Sequence, residues 1–267
     1  MKTKRIAFVG GGNMAEAILG GLLAGDVALA GHIVVSDISG DRRAWLQKEY
    51  GVDVTEDNAV AVRGADIVVL AVKPQQVPEV LQSAREAFAA DQLVVSICAG
   101  LPTSSLETQV PSRVARVMPN LPALVRRGVA AICGGQRATP ADLDLVEQLF
   151  AATGAVVRLP ESQMNEVTAL SGSGPGFVFA FVEALMGAAV ELGLERAKAR
   201  TLAVQTVLGA AELLAQTGAE PSDLRQRVCS KGGTTLAGLA AMESKGFADA
   251  VAAGLRAARD RAAELAR

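Results

Sequence analysis

The sequence predicts an α/β fold in which a doubly wound sheet is followed by an all-helical C-terminal domain. Short β-branched runs alternate with helix-like segments from Lys4 to about Pro160. Several of these runs are apolar throughout, as expected where helices cover both faces of a parallel sheet. After about Glu161 the strand signals stop, and long segments rich in Ala and Leu follow. We therefore predict two domains, residues 1–160 and residues 161–267.

The first domain is predicted to contain strands and helices in alternation. The strand candidates are, in order, RIAFVG, HIVVSD, VDVT, DIVVLAV, QLVVSICAG, RVARVMPN, VAAICGG and AVVRLP. The helices between them are expected at Met14–Ala24, Asp41–Tyr50, Asn58–Arg63, Val77–Ala89 and Pro140–Ala152. Thr139 is the expected N-cap of the last helix, because its hydroxyl can accept from a free N–H group of the first turn and Pro140 suits the first helical position.

The second domain is predicted to be helical throughout. Its helices are expected at about Gln163–Leu170, Gly176–Leu192, Glu195–Gln216, Pro221–Val228, Thr234–Lys245 and Phe247–Ala266. Many of these helices are apolar around much of their circumference, which a single buried face does not satisfy. The surplus apolar surface predicts a homo-oligomer interface in this domain.

Composition argues against a nucleic-acid partner, a disulfide framework and a metal site. Of the 267 residues, 50% are hydrophobic but only 3% are aromatic, so nucleic-acid bases would find few stacking platforms. The formal net charge of -2 also lacks the basic footprint of a nucleic-acid binder. The three cysteines, Cys98, Cys133 and Cys229, are widely spaced and accompany a single histidine, His32. We therefore expect neither a disulfide framework nor a metal site. We expect the protein to work in a reducing compartment, where cysteines stay unpaired.

Two apolar stretches resemble an export signal and a membrane span. The N-terminal run ends after Val9 in three glycines and an asparagine, so we interpret it as a strand and a turn. The stretch from Gly176 carries Glu183 and Glu191, which makes it too charged for a membrane span. The sequence therefore predicts a cytoplasmic protein that binds no membrane.

The segment IAFVGGGNMAEAI places a glycine-rich turn between the first strand and the first helix. Gly10 can make the tight turn, Gly12 lets the backbone approach a pyrophosphate, and Ala15 allows helix and strand to pack closely. The helix start, with Asn13 and Met14, offers unpaired N–H groups and the positive end of its dipole to phosphates. In its strand–helix–strand context, this pattern predicts a Rossmann-type dinucleotide site.

Asp37, which follows Ser36 at the end of the second strand, leaves the choice of cofactor open. An acid at this position would hold the ribose hydroxyls of NAD and repel the 2'-phosphate of NADP. Four residues of the same turn could instead receive a phosphate and so contact the cofactor, namely Ser36, Ser39, Arg42 and Arg43. The alternative for the two arginines is a solvated helix face.

The segment AVKPQQV contains Ala71, Val72, Lys73 and Pro74 and follows the strand that begins at Asp66. Ligands of open α/β sheets lie outside the carboxyl ends of the strands, so this backbone is expected along the nicotinamide half of the cofactor. The alternative is a proline that ends a strand beside a solvated lysine.

Three further motifs follow in order, RVMPNLPAL (Arg116–Leu124), TALSGSGPGFVFAF (Thr168–Phe181) and CSKGGTT (Cys229–Thr235). With the first glycine-rich loop and the AVKP segment, this set resembles the Δ1-pyrroline-5-carboxylate reductase family over essentially the whole chain. The resemblance implies an NAD(P)H-dependent oxidoreductase that reduces a cyclic imine to L-proline, the last step of proline biosynthesis. It also implies NADPH as the preferred cofactor, NADH as an alternative, and a homodimer through the helical domain that can assemble into a decamer.

The chain departs from the family pattern at three places. Leu121 follows the MPN motif where threonine is usual, and Gly176 and Phe177 follow SGSGP where Ala-Tyr or a similar pair is common. These two changes remove hydroxyl groups near the expected active site. Lys231 stands where proline is frequent.

The resemblance assigns the substrate site to the second glycine-rich loop. The implied substrate carries one carboxylate, and the N–H groups of Gly232, Gly233 and Thr234 at a helix start suit that anion. The hydroxyls of Ser230 and Thr235 are expected to complete this site. Thr235 is the predicted catalytic residue, which donates to or orients the proton at the ring nitrogen.

Two other functions fit parts of the sequence. A β-hydroxyacid dehydrogenase-like reductase would share both domains, but no lysine occurs between Lys73 and Lys198 to serve as its acid or base. A non-catalytic NAD(P)-sensing module would keep the first glycine-rich loop and would have no need of the MPN, SGSGP and GGTT motifs.

Overall fold

The structure, a computed structural model, describes residues 1–265 and contains one eight-stranded sheet. Each predicted strand segment overlaps an observed strand. The strands are β1 (Ile6–Val9), β2 (Ile33–Ser36), β3 (Asp53–Thr55), β4 (Ile67–Leu70), β5 (Leu93–Ser96), β6 (Arg113–Met118), β7 (Gly128–Gly134) and β8 (Gly154–Arg158).

The strand order is β3-β2-β1-β4-β5-β6-β7-β8. Strands β1 to β6 are parallel, β7 is antiparallel to β6, and β8 is parallel to β7. Because β1 lies between β2 and β4, the winding of the sheet reverses there, and Val9 is paired with both Ser36 and Leu70. The turns that follow β1, β2 and β4 therefore lie side by side at one edge of the sheet, where ligands of such folds bind.

Helices cover both faces of the sheet, which confirms the predicted doubly wound architecture. The helices of this part are α1 (Asn13–Ala24), α2 (Gly40–Tyr50), α3 (Asn58–Val62), α4 (Val77–Ser83), α5 (Thr103–Glu107) and α6 (Pro140–Ala151). One core joins the sheet to α1, α2 and α6, and the other joins it to α3, α4 and α5. Phe8 of the first core is fully buried, and burial of such a side chain contributes about 1.5–3 kcal/mol to stability.

Local hydrogen bonds set the helix limits. The Thr139 hydroxyl accepts from the Asp142 N–H at 3.2 Å and the Asp142 carboxylate accepts from the Thr139 N–H at 2.8 Å, which confirms the predicted N-cap of α6. The predicted helix Val77–Ala89 is too long, because α4 ends at Ser83 and a 3-10 turn follows at Arg85–Ala87. Helix α5 was not predicted, since five residues are too few to show a helical period.

The C-terminal part of the chain is helical, as predicted. Its helices are α7 (Met164–Val167), α8 (Gly174–Glu191), α9 (Arg196–Thr217), α10 (Pro221–Arg227), α11 (Thr234–Ser244) and α12 (Phe247–Leu265), and the predicted end of the last helix at Ala266 lies outside the described residues. By packing, one compact unit contains Met1–Ser173 together with residues 258–265, and the other contains Gly174–Ala257. The first unit extends past Pro160 because Met164 is buried in a small core with Ala131 and Cys133 of β7.

The helical unit has almost no core of its own. Between Gly174 and Ala257, all of which the structure describes, only Ala199 and Ala203 are buried. Large apolar side chains of α8 and α9 are exposed in the single chain, including Phe179, Leu202 and Leu208. The prediction that Glu183 and Glu191 make this stretch too charged is wrong on composition, because the helical stretch Glu161–Glu191 is long and apolar enough to cross a membrane. Core helices of soluble proteins pass the same test.

Candidate active site

Gly10 brings the turn after β1 against the turn after β4. Its φ is +96°, and a Cβ atom there would lie 2.7 Å from the Ala71 carbonyl oxygen. The Gly10 N–H donates to the Ser36 carbonyl at 2.8 Å, so the same turn is also fastened to the end of β2. Only glycine fits this position, because both the backbone conformation and the space exclude a side chain.

Gly12 differs from Gly10 because a Cβ atom there would meet no protein atom within 4 Å. It precedes α1, and among the described residues no side chain caps the first turn of that helix. Asn13 is exposed, Met14 is half-buried and Ala15 is buried against the core. The open space at Gly12 and the free N–H groups of the helix start together fit a dinucleotide pyrophosphate.

Gly11 is a further structural requirement of this loop that sequence reasoning did not assign. Its N–H donates to Asp37 Oδ2 at 2.8 Å, and a Cβ atom would lie 2.7 Å from Leu46 Cδ1. The signal for it was the uninterrupted run of three glycines, of which the dinucleotide pattern uses only two.

The end of β2 places Asp37 and Ser36 in different environments. Asp37 is half-buried, and its Oδ1 accepts from the Ser39 N–H at 2.8 Å. The Ser36 side chain is completely buried, and its hydroxyl donates to Asn58 Oδ1 at 2.8 Å. The prediction that Ser36 contacts the cofactor therefore has to be corrected for its side chain, because this hydroxyl is enclosed between the sheet and α3.

Both arginines of the β2–α2 turn bind protein groups. Arg42 Nε donates to the Gly11 carbonyl, and its terminal nitrogen is paired with Glu16 on α1. Arg43 donates to the Asp37 carbonyl at 2.7 Å and lies 3.3 Å from Glu56. Of the two alternatives left open by the sequence, a purely solvated arginine face does not describe this turn.

The Glu16 carboxylate is the centre of a small polar cluster. It accepts from Tyr50 Oη at 3.0 Å and from Trp45 Nε1 at 3.4 Å, in addition to its ion pair with Arg42. Burial acts to raise the pKa of Glu16, but the hydrogen bonds from Arg42, Tyr50 and Trp45 and the charge of Arg42 lower it below its usual value. Burial and the Glu16 carboxylate raise the pKa of Tyr50 to about 12.

The AVKP segment lies where the sequence predicted it, directly after β4. Ala71 and Val72 are half-buried, Lys73 is exposed, and Pro74 begins a 3-10 turn. The thiol of Cys98 donates to the Val72 carbonyl at 3.3 Å, and this bond holds the backbone of the AVKP segment in place. Burial raises the pKa of Cys98, so this thiol stays protonated and keeps its role as a donor.

The MPN and SGSGP motifs are in direct contact. Asn120 is buried, and its side chain bonds to the Ser171 carbonyl and to the Val129 N–H. Gly172 closes a π-helical turn at Thr168–Gly172, and a Cβ atom there would lie 2.6 Å from Met118 Cε. The adjacent Leu121 is 47% exposed, so it presents an apolar surface where the family usually has a hydroxyl.

The second glycine-rich loop contains all five predicted substrate residues. Ser230, Lys231, Gly232 and Gly233 form a β-turn closed by the Gly233 N–H, which donates to the Ser230 carbonyl at 2.9 Å. Gly232 has a φ of +72°, whereas the described non-glycine residues with positive φ are Asp26 and Arg126. A positive φ at the third residue and a negative φ at Lys231 define a type II turn.

This turn leads directly into α11. Gly233 is the N-cap residue, and no side chain within the described residues caps the helix. A Cβ atom on Gly233 would lie 2.3 Å from Ser230 Oγ, so the glycine makes room for that hydroxyl. Thr234 is exposed and Thr235 is half-buried in the first turn. The loop thus presents three hydroxyls, those of Ser230, Thr234 and Thr235, and an uncapped helix start within six residues.

Comparison with known proteins gives two family matches. Residues 161–265 match the pyrroline-5-carboxylate reductase dimerisation family. Residues 5–100 match the family described as NADP oxidoreductase, coenzyme F420-dependent.

Individual relatives cover the whole chain. Pyrroline-5-carboxylate reductase of Pseudomonas aeruginosa is 44% identical over 100% of this chain and 98% of its own length. The Escherichia coli enzyme is 39% identical over 93% of each chain. The solved pyrroline-5-carboxylate reductase of Coxiella burnetii superposes with a TM-score of 0.94, at 37% identity and 100% coverage of both chains. The Plasmodium falciparum pyrroline carboxylate reductase with NADP bound has a TM-score of 0.89 and 28% identity over 100% of each chain. With this identity over its entire length, the chain belongs to the pyrroline-5-carboxylate reductase family.

Proposed function

We propose that this protein reduces the cyclic imine Δ1-pyrroline-5-carboxylate to L-proline with NAD(P)H, as the last step of proline biosynthesis in the cytoplasm. The observation that carries the proposal is the type II turn Ser230–Gly233 at the uncapped start of α11, with Thr235 in its first turn. A family that reduces this imine needs a site for one carboxylate and a hydroxyl for one nitrogen, and this loop offers both.

We assign the cofactor to the edge of the sheet where β1, β2 and β4 end. The N–H groups at Gly12 and the start of α1 hold the pyrophosphate, and Asp37 approaches the ribose of the adenosine half. The backbone of Ala71–Pro74 lies along the nicotinamide half. The cofactor supplies the hydride when bound. NADPH is the preferred cofactor, with NADH as an alternative.

The substrate carboxylate is held by the second glycine-rich loop. The N–H groups of Gly232 and Thr234 and the Ser230 hydroxyl donate to it, and the helix dipole adds to the attraction. The predicted contribution of the Gly233 N–H is corrected, because that group closes the turn onto the Ser230 carbonyl. The Thr235 hydroxyl oxygen accepts a hydrogen bond from the protonated ring nitrogen and orients that proton. Because a cyclic imine protonates readily, this orientation replaces a strong general acid.

Replacement of Thr235 tests this assignment. We expect Thr235→Ala to lower kcat/KM for pyrroline-5-carboxylate by about tenfold or more, because one hydrogen bond to a charged group is lost. Thr235→Ser, which keeps the hydroxyl, is expected to retain most of the activity. Activity of Thr235→Ala within about twofold of the wild type would remove Thr235 from the mechanism.

The oxidation of NADPH, followed by absorbance, separates the three candidate functions. Oxidation with pyrroline-5-carboxylate supports the proposal, whereas oxidation only with 2-keto or semialdehyde acids favours a β-hydroxyacid dehydrogenase-like reductase. Cofactor binding without turnover of any of these compounds favours a sensing module. The same assay with NADH measures the cofactor preference.

We further propose a homodimer formed through the helical unit, which can assemble into a decamer. The exposed apolar side chains of α8 and α9 support this, because a monomer would leave them in water. Leu208 is 54% exposed, and Leu208→Asp is expected to shift the protein to a smaller species in sedimentation analysis. The matched control is Gln47→Asp on α2. An unchanged size for Leu208→Asp would contradict an interface at this position.

A further inference from the structure

Glu16 and Arg42 form an ion pair next to the glycine-rich loop that no assignment above uses. Glu16 lies on α1 and Arg42 on α2, and their side chains are only 20% and 23% exposed. Tyr50 and Trp45 donate to the other oxygen of the Glu16 carboxylate. This carboxylate therefore has three side-chain donors and stays ionised at neutral pH, since these bonds favour its charged form.

Arg42 also fixes the loop that we assign to the pyrophosphate. Its Nε donates to the Gly11 carbonyl, while Asp37 Oδ2 accepts from the Gly11 N–H at 2.8 Å. Residues of the β2–α2 segment thus hold both backbone groups of Gly11. Of the five N–H donors of the Arg42 guanidinium, one binds the Gly11 carbonyl and one binds Glu16. These two bonds fix the orientation of the guanidinium and so limit the directions in which its other three donors can bind a ligand.

The charges at the end of β2 do not favour an additional phosphate. Arg42 and Arg43 are the cations, and each is paired, with Glu16 and Glu56 respectively. Asp37 adds a further carboxylate, which accepts from the backbone N–H groups of Gly11 and Ser39. These five side chains carry a formal charge of -1, from two arginines and three acids. A 2'-phosphate on the adenosine ribose, which binds at the end of β2, brings more negative charge than the 2'-hydroxyl of NADH.

We infer that Glu16 is a specificity-determining residue: by pairing with Arg42 it weakens the attraction of this site for the 2'-phosphate and so limits the preference for NADPH over NADH. The inference rests on the cofactor part of the proposed function. It does not depend on the identity of the substrate.

Glu16→Gln tests the inference, because the amide keeps the size of the side chain and an acceptor for Tyr50 but removes the charge. We expect the ratio of kcat/KM for NADPH to that for NADH to rise by about fivefold or more, as one nearby negative charge is removed. Calorimetric titration with NADP⁺ and NAD⁺ is the second measurement. The Kd for NADP⁺ is expected to fall, and the Kd for NAD⁺ to stay within about twofold.

Two controls make the test specific. Glu86→Gln removes a carboxylate at an exposed position after α4. It is expected to leave unchanged the NADPH-to-NADH ratio of kcat/KM and the ratio of the Kd values for NADP⁺ and NAD⁺. The double variant Glu16→Gln with Arg42→Gln is expected to lose the gain, because the gain acts through Arg42.

Each other result overturns the inference. If Glu16→Gln weakened the binding of both cofactors equally, Glu16 would only position the glycine-rich loop. If the preference for NADPH fell, Glu16 would instead orient Arg42 toward the 2'-phosphate. An unchanged ratio would show that the pair is remote from the 2'-position. If the binding ratio shifts as expected but pyrroline-5-carboxylate is not reduced by the wild type, the proposed reaction fails and the inference about Glu16 stands.

Discussion

The side chain of Asn120 joins two segments that are far apart in the sequence, since its amide nitrogen donates to the Ser171 carbonyl at 3.0 Å. Its amide oxygen accepts from the Val129 N–H at 2.9 Å. The MPN motif therefore holds the π-helical turn of the SGSGP motif on one side and the start of β7 on the other. An asparagine suits this position because it offers a donor and an acceptor on one short side chain.

We expect Asn120→Ala to lower the free energy of unfolding by about 1–3 kcal/mol, because a part-buried carbonyl and a part-buried N–H both lose their partner. Urea denaturation at fixed protein concentration measures this change. Gln163→Ala removes an exposed amide eight residues before Ser171 and is the matched control. A loss below about 1 kcal/mol for Asn120→Ala would mean that water replaces both hydrogen bonds.

Gly10 and Gly12 are expected to respond differently to the same substitution. Gly12→Ala places its methyl group in open space at a φ of -66°, so the Tm should not change. The Kd for NADP⁺ should rise by about tenfold or more, because the methyl group displaces the pyrophosphate. Gly10→Ala forces alanine to a φ of +96° and against Ala71. It should lower the free energy of unfolding by about 2 kcal/mol or more.

Thermal melts and calorimetric titration of the two variants check this difference. Tight NADP⁺ binding by Gly12→Ala would contradict the placement of the pyrophosphate at this turn. A wild-type Tm for Gly10→Ala would contradict the close approach of the turns after β1 and β4.

Lys231 occupies the second residue of the type II turn, where proline is favoured because its φ is already fixed near the required value. Among the described residues the Lys231 N–H makes no backbone hydrogen bond that proline would remove. Lys231→Pro should therefore raise the free energy of unfolding by about 0.4–1 kcal/mol. Urea denaturation measures it, with Lys231→Ala as the control for loss of the charge. A destabilised Lys231→Pro protein would show that the turn has a different geometry.

Tyr50 is the only tyrosine of the chain, so its ionisation can be followed directly by the absorbance of the phenolate. Its pKa is raised to about 12, first by burial and then by the Glu16 carboxylate. The neutral phenol therefore stabilises the folded state below the unfolded pKa of about 10, and this contribution is lost as the pH rises toward 12. Glu16→Gln removes the charge and should lower the pKa of Tyr50, while Glu86→Gln should not. A phenolate titration near pH 10 in the folded wild type would contradict the buried pair.

The order and type of the elements could be predicted because strands and helices have different apolar periods. The direction of β7 does not follow from its apolar pattern, which reads the same in both directions. It follows from the connection instead, since residues 119–127 are fewer than the dozen or more that a parallel crossover needs. The sequence pattern thus predicted the strand, and its connection explains its reversal.

The site was predictable where the backbone itself is the ligand and less so where side chains meet across elements. Gly10 and Gly12 have positions that a motif specifies, because a turn and a phosphate impose them. Ser36 was expected at the cofactor because it lies in the same turn as Asp37, but it is the last residue of β2 and its side chain is completely buried. Glu16 and Asn120 act through partners distant in the sequence, and no local pattern indicates such pairs.

The nearly coreless helical unit gives the stability of this protein a dependence on its own concentration. If the unit buries its apolar side chains only against another copy, then folding of α8 to α11 and association are one equilibrium. Dilution would then unfold the helical unit and with it the substrate loop that contains Thr235. The α/β unit would stay folded. Specific activity should consequently fall below a threshold of protein concentration, and cofactor binding should persist there.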